Sequence, residues 1–390
     1  MNLPIKAARA EAQACRPRPP FERIALLLQG GGALGAYQAG VYEALAGAQL
    51  HPDWVAGISI GAINAALIAG NPPEARVEKL RRFWETVTSE PLPPWLLPEA
   101  HGDLVRDFTN RWHGAAALFN GVPGLFSPRW VPPFLAAAGT PNATSFYDTA
   151  ALKSTLERLV DFDRINSGEI RFSAGAVNVT TGNFVYFDNA THEIRPEHIM
   201  ASGALPPGFP AVEIDGEHYW DGGLVSNTPL QWVLECADQQ DTLAFQVDLW
   251  SARGAMPRTF AEVMTRQKEI QYSSRTRAST DQFKKEQKLR CALSELVAKL
   301  PDQLESTPEY ALLQSEADRN VYNIIQLIYG SKQYEGDSKD FEFSLRSMED
   351  HWSAGRSDTI LTLRHPEVLE RPTSADGVFT FDVATRERLS

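Results

Sequence analysis

The sequence predicts an α/β fold of three layers, with helices on both faces of a mostly parallel sheet, followed by a largely helical C-terminal region. Three observations lead there. Ile24 to Leu28 is an unbroken aliphatic run, as in parallel strands covered on both faces. It enters the glycine run Gly30-Gly31-Gly32-Ala33-Leu34-Gly35 and then a helix-compatible stretch, Ala36 to Ala46. A second apolar strand, Trp54-Val55-Ala56, leads through Gly57-Ile58-Ser59-Ile60-Gly61 into another helix, Ala62 to Ala69. Strand, glycine turn, helix, strand, sharp turn, helix opens a layered α/β domain.

The later elements follow in order. Residues 90–142 hold nine prolines mixed with Trp95, Phe108, Trp112, Phe119, Phe126, Trp130 and Phe134, which predicts no long regular element. Phe172 to Val179 and Phe184 to Phe187 read as a strand pair around Thr180-Thr181-Gly182-Asn183. Glu197 to Leu205 reads as a short helix stopped by Pro206-Pro207. Val212 to Ile214 and His218 to Trp220, joined through Asp215-Gly216, predict a tight hairpin. Thr228-Pro229 has the form of an N-cap with proline at the first helical position. Leu243 to Leu249 reads as the last strand of the core.

Residues 261–300 then carry a long helical pattern ending before Pro301, with Leu289, Leu293 and Leu296 on one face. Val321 to Tyr329 reads as a strand, and Leu345, Met348, Trp352, Ile360 and Leu363 have helical spacing weakened by Gly355. This divides the chain into a flexible arm (1–21), a catalytic domain (22–255) and a mostly helical extension (256–390).

Composition narrows the class of partner. The 390 residues carry a net charge of −12, which argues against nucleic acid, since that binding needs a basic face. Cys15, Cys236 and Cys291 are few and scattered, as free thiols in a reducing compartment would be. The first 20 residues show prolines and arginines without an apolar core, so no signal peptide is expected, and the expected location is cytoplasmic. Residues 266–290 are the exception to the acidic balance. They hold eight Lys and Arg against Glu269, Asp281 and Glu286, a local +5 suited to anionic lipid at an inner membrane surface or to a solvated helix face.

The chemistry centres on Ser59. A serine flanked by glycines at a strand-to-helix turn is held in an exposed elbow, where the helix N-terminus favours developing negative charge. The glycine run supplies backbone amides that approach an oxyanion closely, Gly31 and Gly32 above all. The same run offers a rival reading. Gly30, Gly32 and Gly35 match a dinucleotide fingerprint, with Asp53 about 20 residues on as the ribose carboxylate of an oxidoreductase. Against it, Asp53 precedes the second strand instead of ending it, and that strand ends in a serine elbow.

A base must come from elsewhere. His351 is expected on a polar helix face, and His365-Pro366 lies in a peripheral tail. His192-Glu193 and Glu197-His198 resemble metal ligands, but Pro196 interrupts any helical register, and no metal site is expected. Asp221 is the stronger candidate, delivered by the hairpin and followed by Gly222 and Gly223; as a turn residue it would merely cap the next segment. Desolvation brings an aspartate's pKa toward that of a working base.

Together, Gly30 to Gly35, Gly57 to Gly61 and Asp221-Gly222-Gly223, with Met200-Ala201-Ser202-Gly203-Ala204-Leu205-Pro206-Pro207 before the hairpin, resemble the patatin-like phospholipases over residues 22–250. The resemblance implies a patatin-like three-layer sandwich and a serine–aspartate dyad without histidine. It makes Ser59 the nucleophile, Asp221 its base and Gly30, Gly31 and Gly32 the oxyanion loop, with Gly35, Gly57, Gly61, Gly222 and Gly223 as supporting motif positions. It also implies an acyl lipid substrate and no cofactor. The family often has Arg or Lys where this chain has Leu34, a departure that favours an esterase or thioesterase on smaller acyl substrates as the alternative. Segment 90–142 then becomes a lid or an acyl-chain wall, and residues 256–390 resemble the extra region of a bacterial subset of the family.

Overall fold

The unbroken apolar runs become the middle of a sheet. In the computed structural model, which describes residues 18–88, 103–235, 240–372 and 377–385, β1 (Arg23–Leu28) and β2 (Trp54–Ile58) are buried at every position. They are joined by β3 (Arg171–Asn178), β4 (Phe184–Asp188), β5 (Val212–Ile214), β6 (Glu217–Asp221), β7 (Thr242–Asp248), β8 (Tyr322–Ile328) and β9 (Val378–Phe381). The order is β9-β8-β7-β1-β2-β3-β6-β5, with β4 pairing β3 off this path. From β9 to β3 the strands are parallel, and β4 and β6 run antiparallel to β3. No helix among the described residues is long and apolar enough to cross a membrane.

Register decides where the loops meet. Leu28 of β1 pairs Gly57 on one side and Val247 on the other, so the turns after β1, β2 and β7 leave the same edge of the sheet. Ligands gather at that carboxyl edge in open parallel sheets. β2 pairs β3 as far as Ile58 with Gly175, and β6 pairs it from Ala176 with Asp221 onward. The last residue of β6 therefore comes beside the turn that follows β2. The hairpin feeding β6 turns at Asp215 and Gly216, both at positive φ (52° and 87°), the conformation that Asp-Gly favours.

Helices cover both faces. α1 (Ala36–Gly47) and α2 (Ile60–Ala69) pack on the core, and α2 is buried on all sides, which explains its wholly apolar and small-residue sequence. α3 (Asp103–Asn120) corrects the expectation for residues 90–142. The prolines of that stretch lie before residue 99 and after residue 122, leaving room for 18 helical residues between them. Residues 89–102 lie outside the described residues, as do residues 1–17 of the expected N-terminal arm. The end of that arm is fastened: Phe21 is buried and Arg18 pairs with Asp53.

The reading of Leu243 to Leu249 as the last core strand is also corrected. β8 pairs β7 in parallel and β9 pairs β8, so residues beyond 320 extend the same sheet by two strands. β9 has only four residues, half-buried, and its Val-Phe-Thr-Phe composition suits a strand. The rest of the C-terminal region is largely helical, with α5 (Phe260–Val297) and α6 (Leu345–Thr362) framing it, α4 (Pro196–Ser202) lying earlier in the chain. Leu289 and Leu296 of the apolar stripe on α5 remain exposed.

Gly355 does not weaken α6; it is what lets α6 dock. A Cβ there would overlap the Tyr37 carbonyl of α1, and one at Gly40 would overlap the Trp352 carbonyl of α6. The two helices therefore touch backbone to backbone. Gly355→Val is expected to destabilise the fold on the order of 3 kcal/mol, because neither carbonyl can move aside as a side chain would. Urea unfolding measures it, and an unchanged midpoint would contradict this account of the contact.

Candidate active site

Ser59 sits between β2 and α2 with φ 56° and ψ −124°, a conformation rare for a non-glycine residue. The flanking glycines make that turn sterically feasible. A Cβ at Gly57 would overlap the Gly61 carbonyl, and one at Gly61 would overlap the Leu28 carbonyl of β1. The Ser59 amide donates to Ser202 Oγ (3.0 Å), and the Ser202 hydroxyl donates to the Gly175 carbonyl of β3 (2.7 Å). Ser202 is fully buried at the end of α4.

Two residues on, the same segment reaches the other candidate. The Asp221 amide donates to the Ala204 carbonyl (3.0 Å). Asp221 is only 2% exposed, and its Oδ1 accepts from the Gly223 amide (2.7 Å). The Ser59 side chain lies beside this carboxylate and favours its ionised form. Burial pushes the Asp221 carboxyl up to about 6, against the opposing pull of Ser59 and the Gly223 amide. Gly222 packs on the Gly175 carbonyl and Gly223 on Asn227, so a side chain at either would displace the turn.

The glycine loop is fixed from outside. Gly30 receives Asn227 Nδ2 (3.0 Å) and Trp250 Nε1 (2.9 Å) on its carbonyl, while its own amide donates to the Asn227 carbonyl (3.4 Å). Its Cα approaches so closely that an added Cβ would lie 3.1 Å from Ser59 Cβ. Gly32 has φ 55°, and a Cβ on it would overlap the Asp340 carbonyl. That carbonyl accepts the Ala33 amide (2.9 Å). The amides of Gly31 and Gly32 have no protein acceptor among the described residues. Gly35 packs against Ile60, one residue past the serine.

Sequence reasoning missed the residues that hold this loop. Gln29 is buried; its Oε1 accepts the Leu249 and Trp250 amides (2.6 and 3.1 Å), and its Nε2 donates to the Thr228 hydroxyl (3.1 Å). Ser202, Asn227 and Trp250 have comparable roles. None carries a spacing signal, because each acts through a contact made between strands far apart in the chain. The short helix beyond Thr228 runs Leu230–Glu235.

Ser59 and Asp221 open into a cavity of about 340 Å³ walled by side chains such as Ile63, Leu125, Phe126, Met200, Phe209 and Phe343. Phe126, Tyr147 and Phe209 pack with ring centroids 4.8 to 6.0 Å apart, which stiffens one wall. Segment 90–142 contributes Leu118, Leu125 and Phe126 to it. The C-terminal region contributes Tyr272, Asp340, Phe341 and Phe343.

The structure disperses the other sequence candidates. His351 is not on a polar face: it is 2% exposed, its Nε2 faces Glu335 at 3.5 Å, and its ring packs edge-on against Tyr329. His365 pairs with Glu367. No histidine lines the Ser59 cavity among the described residues. His198 accepts the Arg195 amide on Nδ1, and burial with the nearby Arg195 charge takes it down to about 4. Asp53, the ribose candidate, accepts the Ile24 amide (2.8 Å) and pairs with Arg18.

Because the Asp221 proton is held more tightly in the folded chain than in the unfolded one, its ionised form lowers stability above pH 6, and that loss fades as pH falls from 6 toward 4. Asp221→Asn is therefore expected to melt above the wild type at pH 8, with the gap shrinking at pH 5. Equal melting temperatures at both values would contradict the burial argument.

A family model described as patatin-like phospholipase matches residues 26–233, and one described as patatin phospholipase matches residues 270–375. No curated protein sequence matches the chain. Among solved structures, VipD from Legionella pneumophila aligns over 96% of this chain and 73% of its own, at 13% identity and a TM-score of 0.37.

Proposed function

Since the chain belongs to the patatin-like phospholipase family, we propose that it is a lipid acyl hydrolase working through a Ser59–Asp221 dyad. The observation that carries this reading is a buried carboxylate beside the side chain of a strained serine, in an apolar cavity that no described histidine lines.

The chemistry follows from the geometry. Asp221 accepts the Ser59 proton as Oγ attacks the ester carbonyl carbon. Near pH 7 a carboxylate titrating at about 6 is mostly ionised, yet basic enough to hold that proton in transit. The negative charge developing on the carbonyl oxygen is met by the Gly31 and Gly32 amides, which the loop leaves without other acceptors. The Gly30 amide is engaged with the Asn227 carbonyl at 3.4 Å, so this reading gives the donor role to Gly31 and Gly32 among the three expected glycines. Each donor of this kind is worth roughly 10²–10³ in rate. Collapse of the tetrahedral intermediate expels the alcohol, which takes the proton from Asp221 and leaves an acyl-Ser59 ester. Water then attacks that ester with Asp221 again as base, releasing the fatty acid.

The strained serine and the external bracing of the glycine loop serve one end. They hold the donors and the nucleophile in place before substrate arrives, so that little reorganisation accompanies charge development.

The basic stretch 266–290 is a separate proposal, peripheral contact with anionic lipid. Arg266 pairs with Glu269, Lys268 with Asp340, and Lys284 donates to Thr380, so part of its charge is bound internally. Changing Lys284, Lys285, Lys288 and Arg290 to Gln is expected to reduce co-sedimentation with anionic liposomes while sparing cleavage of a soluble ester. Salt-independent binding, or binding unchanged in the variant, would refute it.

Ser59→Ala is expected to lower kcat on the order of 10⁴–10⁶ and to abolish covalent labelling by a fluorophosphonate. Labelling of the wild type should fall as pH drops below about 6, as Asp221 takes up its proton. His351→Ala and His365→Ala should keep most activity. Undiminished labelling of Ser59→Ala at another residue, or collapse of activity in a folded histidine variant, would overturn the dyad.

A further inference from the structure

The walls around Ser59 constrain what is attached to the ester it attacks. Among the described residues lining the cavity, the only charged side chains are two carboxylates, Asp221 and Asp340. No lysine, arginine or histidine lines it. Residues 89–102, outside the described residues, hold His101 and no lysine or arginine in sequence.

Lys268, Lys339 and Arg266, which lie near wall residues in the chain, are committed. Lys268 Nζ donates to both Asp340 oxygens (2.8 and 3.1 Å) and lies over the Phe341 ring. Lys339 donates to Glu269 and Ser331, and Arg266 to Glu269 and the Ala252 carbonyl. Arg111, Arg258 and Lys332 line a different cavity. Position 34, where the resemblance leads one to expect a cation, holds a leucine that is 0% exposed and packs in the main core.

From this geometry we propose that the site selects uncharged acyl esters, with neutral acylglycerols as the substrate class, and discriminates against glycerophospholipids bearing the same acyl chains. The inference rests on the hydrolase reading above. In a glycerophospholipid the phosphate is only a few bonds from the scissile carbonyl. Bringing that carbonyl to Ser59 carries the phosphate into the mouth of an apolar cavity. No charged donor among the described lining residues meets it there, and an unpaired anion in such a place is strongly disfavoured. The Asp221 carboxylate, which must be ionised to act as base, repels it further. Lys268 is paired with Asp340 and is not left over to compensate. A neutral acylglycerol meets none of these penalties, and its hydroxyls hydrogen-bond with either solvent or the rim.

The test compares 1,2-dioleoylglycerol with dioleoyl phosphatidic acid and dioleoyl phosphatidylglycerol in one nonionic detergent micelle, so that the interface is constant. The full-length chain is used, and fluorophosphonate labelling at Ser59 counts active sites. The expected result is a kcat/KM for diacylglycerol higher on the order of 30-fold or more, the size of a like-charge contact at short range in a protein. Asp340→Asn removes one wall carboxylate and releases Lys268, and is expected to narrow that ratio by raising phospholipid turnover relative to diacylglycerol.

Phospholipid cleaved as fast as diacylglycerol by the wild type overturns the proposal, and so does a ratio that Asp340→Asn leaves unmoved. Failure of the underlying reading looks different. A chain that cleaves none of the three lipids and takes no label at Ser59 is not this hydrolase. A labelled, ester-cleaving chain without discrimination refutes the selectivity alone.

Discussion

The serine turn after β2 is the constraint on which the rest of the site depends. A non-glycine residue in a sparsely populated backbone region costs on the order of 1–3 kcal/mol and persists only when its surroundings over-determine it. Here they do. Gly57 and Gly61 let neighbouring backbones touch the turn, α2 begins immediately after it, and the Ser202 hydroxyl holds the Ser59 amide while anchored on β3. One short segment, Ser202 to Ala204, thereby grips both Ser59 and Asp221 by their backbones. The spacing of Ser59 and Asp221 is set through their backbone amides.

Around that turn the protein builds a frame from three carboxyl-edge loops. Gln29 ties the end of β7 to the end of β1, Asn227 and Trp250 hold the Gly30 carbonyl, and the Asp340 carbonyl caps the start of the turn at Gly32–Gly35. Partners that use both sides of a peptide group leave little freedom for the amides between them. The orientation of the Gly31 and Gly32 amides follows from how their neighbours are held.

The C-terminal region is structurally part of this frame. It adds β8 and β9 to the sheet, docks α6 on α1 through facing glycines, and brings Phe341 and Phe343 to the cavity wall. The loop carrying Asp340 is fastened by ion pairs, Lys268 to Asp340 and the buried Lys339 to Glu269, so it is held to α5 as well as to the glycine loop. Together these pairs fix which groups face the cavity.

Much of the core was legible in the sequence. The apolar runs of β1, β2 and β7, the Asp215-Gly216 hairpin and the glycines around Ser59 and Asp221 are local signals, because burial on both faces, positive φ and close backbone approach each restrict residue type at one position. What the local pattern could not supply was partnership. The bracing by Gln29, Ser202, Asn227 and Trp250 joins residues separated by more than 100 positions, and nothing in a hydroxyl or an amide side chain announces its partner. β9 was too short to show an alternating pattern, and its place was decided by the free edge that β8 offered. Gly355 looked like a helix breaker because its reason for being small lies on another helix. His351 looked solvated because its polar neighbours in sequence said nothing of Glu335 and Tyr329, which enclose it in space. Sequence by itself determined which residues must sit at special backbone positions; only the tertiary structure decided which groups stand opposite them, since contact across the fold depends on register and packing that no single stretch of chain contains.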